Sequence, residues 1–127
     1  MKKKRIVNTN TNQKLKSDKL SVLFTVVNRN KADFYMDLIQ SYHVNMQLQL
    51  LANGTAPKAA LAYMGFANTE RTVIVSVIRE DCVQGVLEEL EEKFNTIKGG
   101  KGIAYTVPMS ALIGFSAYSF LSDTRKL

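Results

Sequence analysis

Strand, helix, strand is written twice along this chain. Leu20–Val27 (LSVLFTVV) is β-branched and apolar, the composition of a pleated, buried segment. Asn28-Arg29-Asn30 breaks that run. Ala32, Tyr35, Leu38, Ile39 and Tyr42 then recur at the spacing of one helical face. His43 falls just past this helix, where a cap explains it better than catalysis does. Val44–Leu51 (VNMQLQLL) alternates, with Met46, Leu48 and Leu50 on one side and Gln47 and Gln49 on the other, as a half-buried strand does. The second round opens at Arg71–Ile78 (RTVIVSVI). Its helix carries Val83, Val86, Leu87, Leu90 and Phe94 on one face, with Asp81 as the expected cap. Ile103–Val107 (IAYTV) is the fourth strand. Residues 111–121 (ALIGFSAYSFL) fit either a fifth short strand or a helix.

Two successive βαβ-like rounds predict an α+β, ferredoxin-like βαββαβ sandwich: an antiparallel sheet with both helices on one face. Residues 19–127 form that one domain. The connection from Ala52 to Glu70 is far longer than a hairpin needs, so it is expected to have a purpose. The strands also predict what lies on the sheet's helix-free face. Leu20, Val22, Phe24 and Val26 share one side of the first strand. The other side carries Ser21, Leu23, Thr25 and Val27, joined by Ile74, Ser76, Ile78, Ala104 and Thr106, and this set is assigned to the helix-free face. It holds no charge, which is unusual for a solvated surface. Burial against sister subunits is the simplest expectation; covering by 111–121 is the alternative, and both could hold in part.

Composition removes several chemistries. Cys82 is the single cysteine and His43 the single histidine of 127 residues. An intrachain disulfide is impossible, and a His/Cys metal cage within one subunit is nearly so. No nucleophile motif surrounds His43. Cys82, at helical spacing beside Val83 and Val86, reads as a packed thiol. Glu88, Glu89, Glu91 and Glu92 read as a solvated helix face. No catalytic residue is assigned, and the chain is not expected to be an enzyme. No apolar run approaches a membrane span, and the basic N-terminus lacks the apolar stretch of a signal peptide, so a cytoplasmic protein is expected. The net charge is +6, and seven basic side chains against Asp18 in residues 1–19 account for all of it. Residues 1–18 therefore read as a disordered basic tail, open to phosphate attraction but more simply a solvated extension.

Four stretches together resemble the nitrogen regulatory protein P-II (PII) family and its PII-like relatives. They are LSVLFTVVNRNKAD, NGTAPKAALAYMGFANTERTVIVSVI, EDCVQGVLEELEEKF and GGKGIAYTVPM, over roughly residues 19–110. The resemblance implies a homotrimer whose sheets face the threefold centre. It also implies a signal-transduction role, in which the 53–70 loop meets an unknown target protein. Its effector would be an adenine nucleotide (ATP, ADP or AMP), not tightly bound, in a cleft between subunits. Gly54 and Thr55 of one chain and Gly99, Gly100, Lys101 and Gly102 of its neighbour would line that cleft. Lys58, Tyr63, Met64 and Phe66 are the candidate partner-binding residues, although Tyr63, Met64 and Phe66 fit packing on the sheet equally well. The chain also departs from the family. The family's nucleotide loop reads Gly-Asp-Gly-Lys, and its phosphate-holding arginines after the last core strand are replaced here by LIGFSAY.

Three other readings stand beside this one. A PII-like trimer that binds no nucleotide could act by protein contact alone. An RRM-like RNA-binding module has the same topology, but it needs base-stacking aromatics that RTVIVSVI lacks. An acylphosphatase-type enzyme would need a phosphate loop longer than Asn28-Arg29-Asn30. Nucleic acid is therefore not expected as a partner on sequence grounds.

Overall fold

A computed structural model of the chain describes residues 19–55, 57–63, 69–114 and 120–122. The expectations for the tail 1–18 and for Met64 and Phe66 lie outside the described residues. Four strands, β1 (Leu20–Asn28), β2 (Gln47–Asn53), β3 (Glu70–Arg79) and β4 (Gly102–Pro108), pair in the order β2-β3-β1-β4. All three pairings are antiparallel. Two helices, α1 (Ala32–Gln40) and α3 (Val83–Thr96), cover one face, and a short helix α2 (Lys58–Tyr63) stands in the long connection.

The helical stripes pack as their spacing requires. Tyr35 and Ile39 of α1 and Val86 and Leu90 of α3 are fully buried. They close on Leu23, Val27, Ile74 and Ile78 of the central strands. Burial of a side chain of this size stabilises by about 1.5–3 kcal/mol, so this layer is the main cohesive element of the subunit. His43, past α1, has φ of 62° and donates its amide to the Gln40 carbonyl at 3.1 Å, the left-handed stop expected of it.

Several boundaries differ from the sequence reading. β2 begins at Gln47, because Val44 drops into the core ahead of the strand. Asp81 does not cap α3. It lies in the 3-10 turn Glu80–Cys82, and its carboxylate pairs with Arg79 at 2.7 Å. That ion pair and its hydrogen bond hold the Asp81 pKa below its ordinary value. Residues 111–114 form neither strand nor helix, and 120–122 make a helical turn. Cys82 is half-buried against the core, and burial pushes its thiol up.

The largest correction concerns the sheet faces, which are the reverse of the expected assignment. Ser21, Leu23, Thr25, Val27, Ile74, Ser76 and Ile78 lie buried beneath the helices. Ser76 is accommodated there by donating to Gln47 Oε1 at 3.0 Å, while Gln47 Nε2 donates to the Met36 carbonyl. The hydroxyls of Thr25 and Thr72 are buried with no hydrogen-bond partner among the described residues. The helix-free face holds the other set. The register crosses it in three rows: Val77–Val22–Val107, Leu48–Val75–Phe24–Tyr105 and Leu50–Val73–Val26–Ile103. The Phe24 and Tyr105 rings stack at 5.1 Å. No side chain in those rows is charged. Leu48, Leu50, Ile103, Tyr105 and Val107 are 42–51% exposed. The C-terminal turn covers only one end: Leu121 packs on Leu20 and Val77, with Met109 beside them.

Candidate functional site

Antiparallel pairing brings four chain segments to one end of the sheet. β1 leaves at Asn28, β2 leaves at Asn53, β3 enters at Glu70 and β4 enters at Gly102. The two loops singled out in the sequence, 54–69 and 97–101, therefore rise from the same end of a single chain. The long loop is closed at its neck, where the Gly54 amide donates to the Thr69 carbonyl at 2.8 Å.

Side chains between the loops tie this end together. Arg71 Nη1 donates to Asn28 Oδ1 at 3.1 Å and to the Glu70 carbonyl at 2.7 Å. Asn28 Nδ2 in turn donates to the Gly99 carbonyl at 2.9 Å. Arg29 Nη2 donates to the Ala52 carbonyl at 2.9 Å, and its Nε is buried without a partner among the described residues. Arg71 is buried, and that burial lowers its pKa from the ordinary guanidinium value. A relay of hydrogen bonds thus runs from the base of the long loop to the loop before β4. Asn28, Arg29 and Arg71 were not among the residues singled out from sequence. Their roles depend on partners up to 71 positions away, so no local motif marks them.

The glycine-rich loop owes its composition largely to close packing. Gly99 has φ of 71°, a region most side chains avoid. A Cβ on Gly100 would meet Ile97 at 2.9 Å and the Tyr35 hydroxyl at 3.0 Å. The Gly100 amide already donates to the Ile97 carbonyl, and its own carbonyl accepts from the Tyr35 hydroxyl at 2.6 Å. The expected phosphate cradle is therefore partly committed to the fold. Lys101 is exposed, as is Lys98, and the Lys31 stem approaches Gly99. These lysines bring cations to this end of the sheet, and cations attract anions.

The remaining candidates divide. Gly54 is half-buried at the neck and Thr55 is exposed. Lys58 opens α2. Tyr63 is 93% exposed, so it does not pack down on the sheet.

Tyr35 supplies a direct test of this loop's support. Its hydroxyl is buried, and burial pushes its pKa up, so it stays a neutral donor. Tyr35→Phe leaves the Gly100 carbonyl without that donor. The expected loss is about 1–2 kcal/mol, read from urea denaturation against the parent at one protein concentration. Unchanged stability would show that the 2.6 Å contact holds nothing.

No family model and no curated protein matches the sequence. Among solved structures, the chain is similar to CPII from Thiomonas intermedia K12 bound to ADP, AMP and acetate. The identity is 16% and the TM-score 0.60, over 78% of this chain and 92% of that one. It is also similar to a functionally unknown protein from Pediococcus pentosaceus, at 18% identity and TM-score 0.56, over 76% and 98% of the two chains. A putative PII-like signalling protein from Thermus thermophilus aligns at 12% identity and TM-score 0.54, over 71% and 85%. Strand order, helix placement and these matches agree on one architecture: the chain has the α+β, ferredoxin-like fold of the PII-like proteins.

Proposed function

We propose that this chain is a PII-like regulator that works as a homotrimer, with its helix-free sheet faces turned inward. The observation that carries the reading is the three apolar rows on that face, which no described segment covers beyond the Leu20–Val77 end. Soluble proteins rarely leave a contiguous apolar patch of this kind open to water, and identical copies are the economical cover.

The proposed effector is a small anion of the adenine-nucleotide class. It would sit where Gly54–Thr55 of one copy approaches Gly99–Gly102 of the next, with Lys101 set against its phosphates. Support comes from the cationic end of the sheet and from a structural neighbour bound to ADP and AMP. The signal would pass through the 53–70 loop to a target protein, with exposed Tyr63 among the contacts. The action is regulatory, placed in the cytoplasm, and involves no reaction. No helix among the described residues is long and apolar enough to cross a membrane.

A second reading, the trimer that acts by contact alone, is favoured by one specific observation. The amide and the carbonyl of Gly100 are both already engaged inside the fold. Calorimetric titration with ADP, ATP, AMP and cyclic AMP separates the two. Binding of any of them, weakened at least about 10-fold in Lys101→Ala (about 1.4 kcal/mol), supports the effector reading. A three-chain mass by light scattering with no heat from any nucleotide leaves the contact-only trimer.

A further inference from the structure

The helix side of the subunit carries an apolar groove that the regulator reading does not use. It lies between α3 and the edge strand β4, encloses about 400 Å³, and is lined by Leu87, Leu90, Phe94, Ile103, Ala104 and Glu91 among others. Its floor is apolar, and Leu90 is fully buried at its base. Its rim on α3 is acidic. Glu91 is part of the lining, and exposed Glu88 lies one turn earlier along the same side of the helix. Glu89 is engaged elsewhere, accepting from the Tyr42 hydroxyl on the α1 side. The groove is therefore an apolar slot with negative charge along one wall.

A segment of matching chemistry belongs to the same chain. Residues 1–18 carry six basic side chains against Asp18, and within them Ile6-Val7 directly follows Lys2-Lys3-Lys4-Arg5. An apolar pair beside a basic cluster complements an apolar slot beside Glu88 and Glu91. The reach suffices. The groove's strand residues Gly102–Ala104 pair with Val27–Thr25 of β1, roughly 20 Å along the strand from Leu20 at about 3.4 Å per residue. Lys19 lies thirteen positions after Ile6, enough extended chain for roughly 40 Å.

We propose that the α3–β4 groove seats Ile6 and Val7 of the chain's own N-terminal segment, with Lys4 and Arg5 set against Glu88 and Glu91. This goes beyond the regulator reading and does not depend on any effector. It makes the basic segment a latch on the side of the subunit.

The test is methyl NMR on the full chain. Nuclear Overhauser contacts are expected from the Ile6 methyl to those of Leu87, Leu90 or Ala104. They are lost in Glu91→Lys and in Ile6→Asp, while Ile39 and Ile74 of the core keep their shifts. Ile6→Asp alters none of the core residues named above, so it separates loss of docking from loss of folding. An Ile6 methyl at its random-coil shift, with Leu87 and Ala104 unmoved by Ile6→Asp, overturns the proposal. So does a second copy's residue found seated against Leu87 or Ala104 in a mixed labelled and unlabelled sample.

Discussion

Replacing Phe24 by Asp is expected to take the proposed trimer apart into single chains that are still folded. Phe24 lies mid-sheet on the helix-free face, between Val75 and Tyr105 in the row that runs from Leu48 across all four strands. Its ring stacks on Tyr105 and takes no part in the helix-side core. A carboxylate there is tolerated in water but is several kcal/mol unfavourable once buried and unpaired. The helix-side core is untouched, so circular dichroism should keep its folded signature while light scattering falls from a three-chain to a one-chain mass. A Phe24→Leu control keeps the face apolar and should keep the assembly. If Phe24→Asp remains a trimer, the inward-facing sheet is wrong, and the intersubunit cleft is lost with it.

Gly102→Val is expected to be the most damaging single change at the site end of the subunit. A Cβ at this position would meet Phe94 at 2.7 Å, the Val26 carbonyl at 2.8 Å and Val27 Cγ1 at 2.8 Å. Phe94 can shift, but the Val26 carbonyl is backbone of a central strand and cannot yield without disturbing β1. Two branched methyls add to the conflict. Overpacking of this kind costs about 3 kcal/mol, a fall of roughly 10 °C in Tm for a domain of this size. The α3–β4 groove, which Gly102 helps to line, should lose its shape together with the loop before β4. A thermal melt at the parent's concentration checks this. An unchanged Tm would show that the neighbours of Gly102 give way and that packing does not require glycine there.

The sequence carries the element order clearly, because the buried residues of α1 and α3 recur at helical spacing. Tyr35 and Ile39, like Val86 and Leu90, can satisfy their burial in a single way. The sheet faces were not legible for the opposite reason. β1 is apolar on both sides, Leu23 and Val27 on one and Val22, Phe24 and Val26 on the other. Period-two alternation therefore leaves open which side meets the helices. Size and polarity pointed the wrong way too: the buried side holds Ser21, Thr25, Thr72 and Ser76. Gln47 is the tell-tale in retrospect, since its two hydrogen bonds require the helix side. At the site end, the glycines were visible as a cluster and their packing duties were not. Asn28, Arg29 and Arg71 act across the sheet, through partners that only the strand order brings near.

The closed neck of the long connection has a consequence for how such a molecule can diversify. With Gly54 pinned to Thr69 and Asn53 already paired with Glu70, the two ends of the loop are fixed by the sheet before its contents matter. Lengthening a loop whose ends are held is cheap, about 0.6 kcal/mol for each doubling. Insertions and wholesale replacement between those anchors would therefore leave the scaffold standing, and the segment is free to drift like a cassette while the rest of the subunit stays under strict packing constraint.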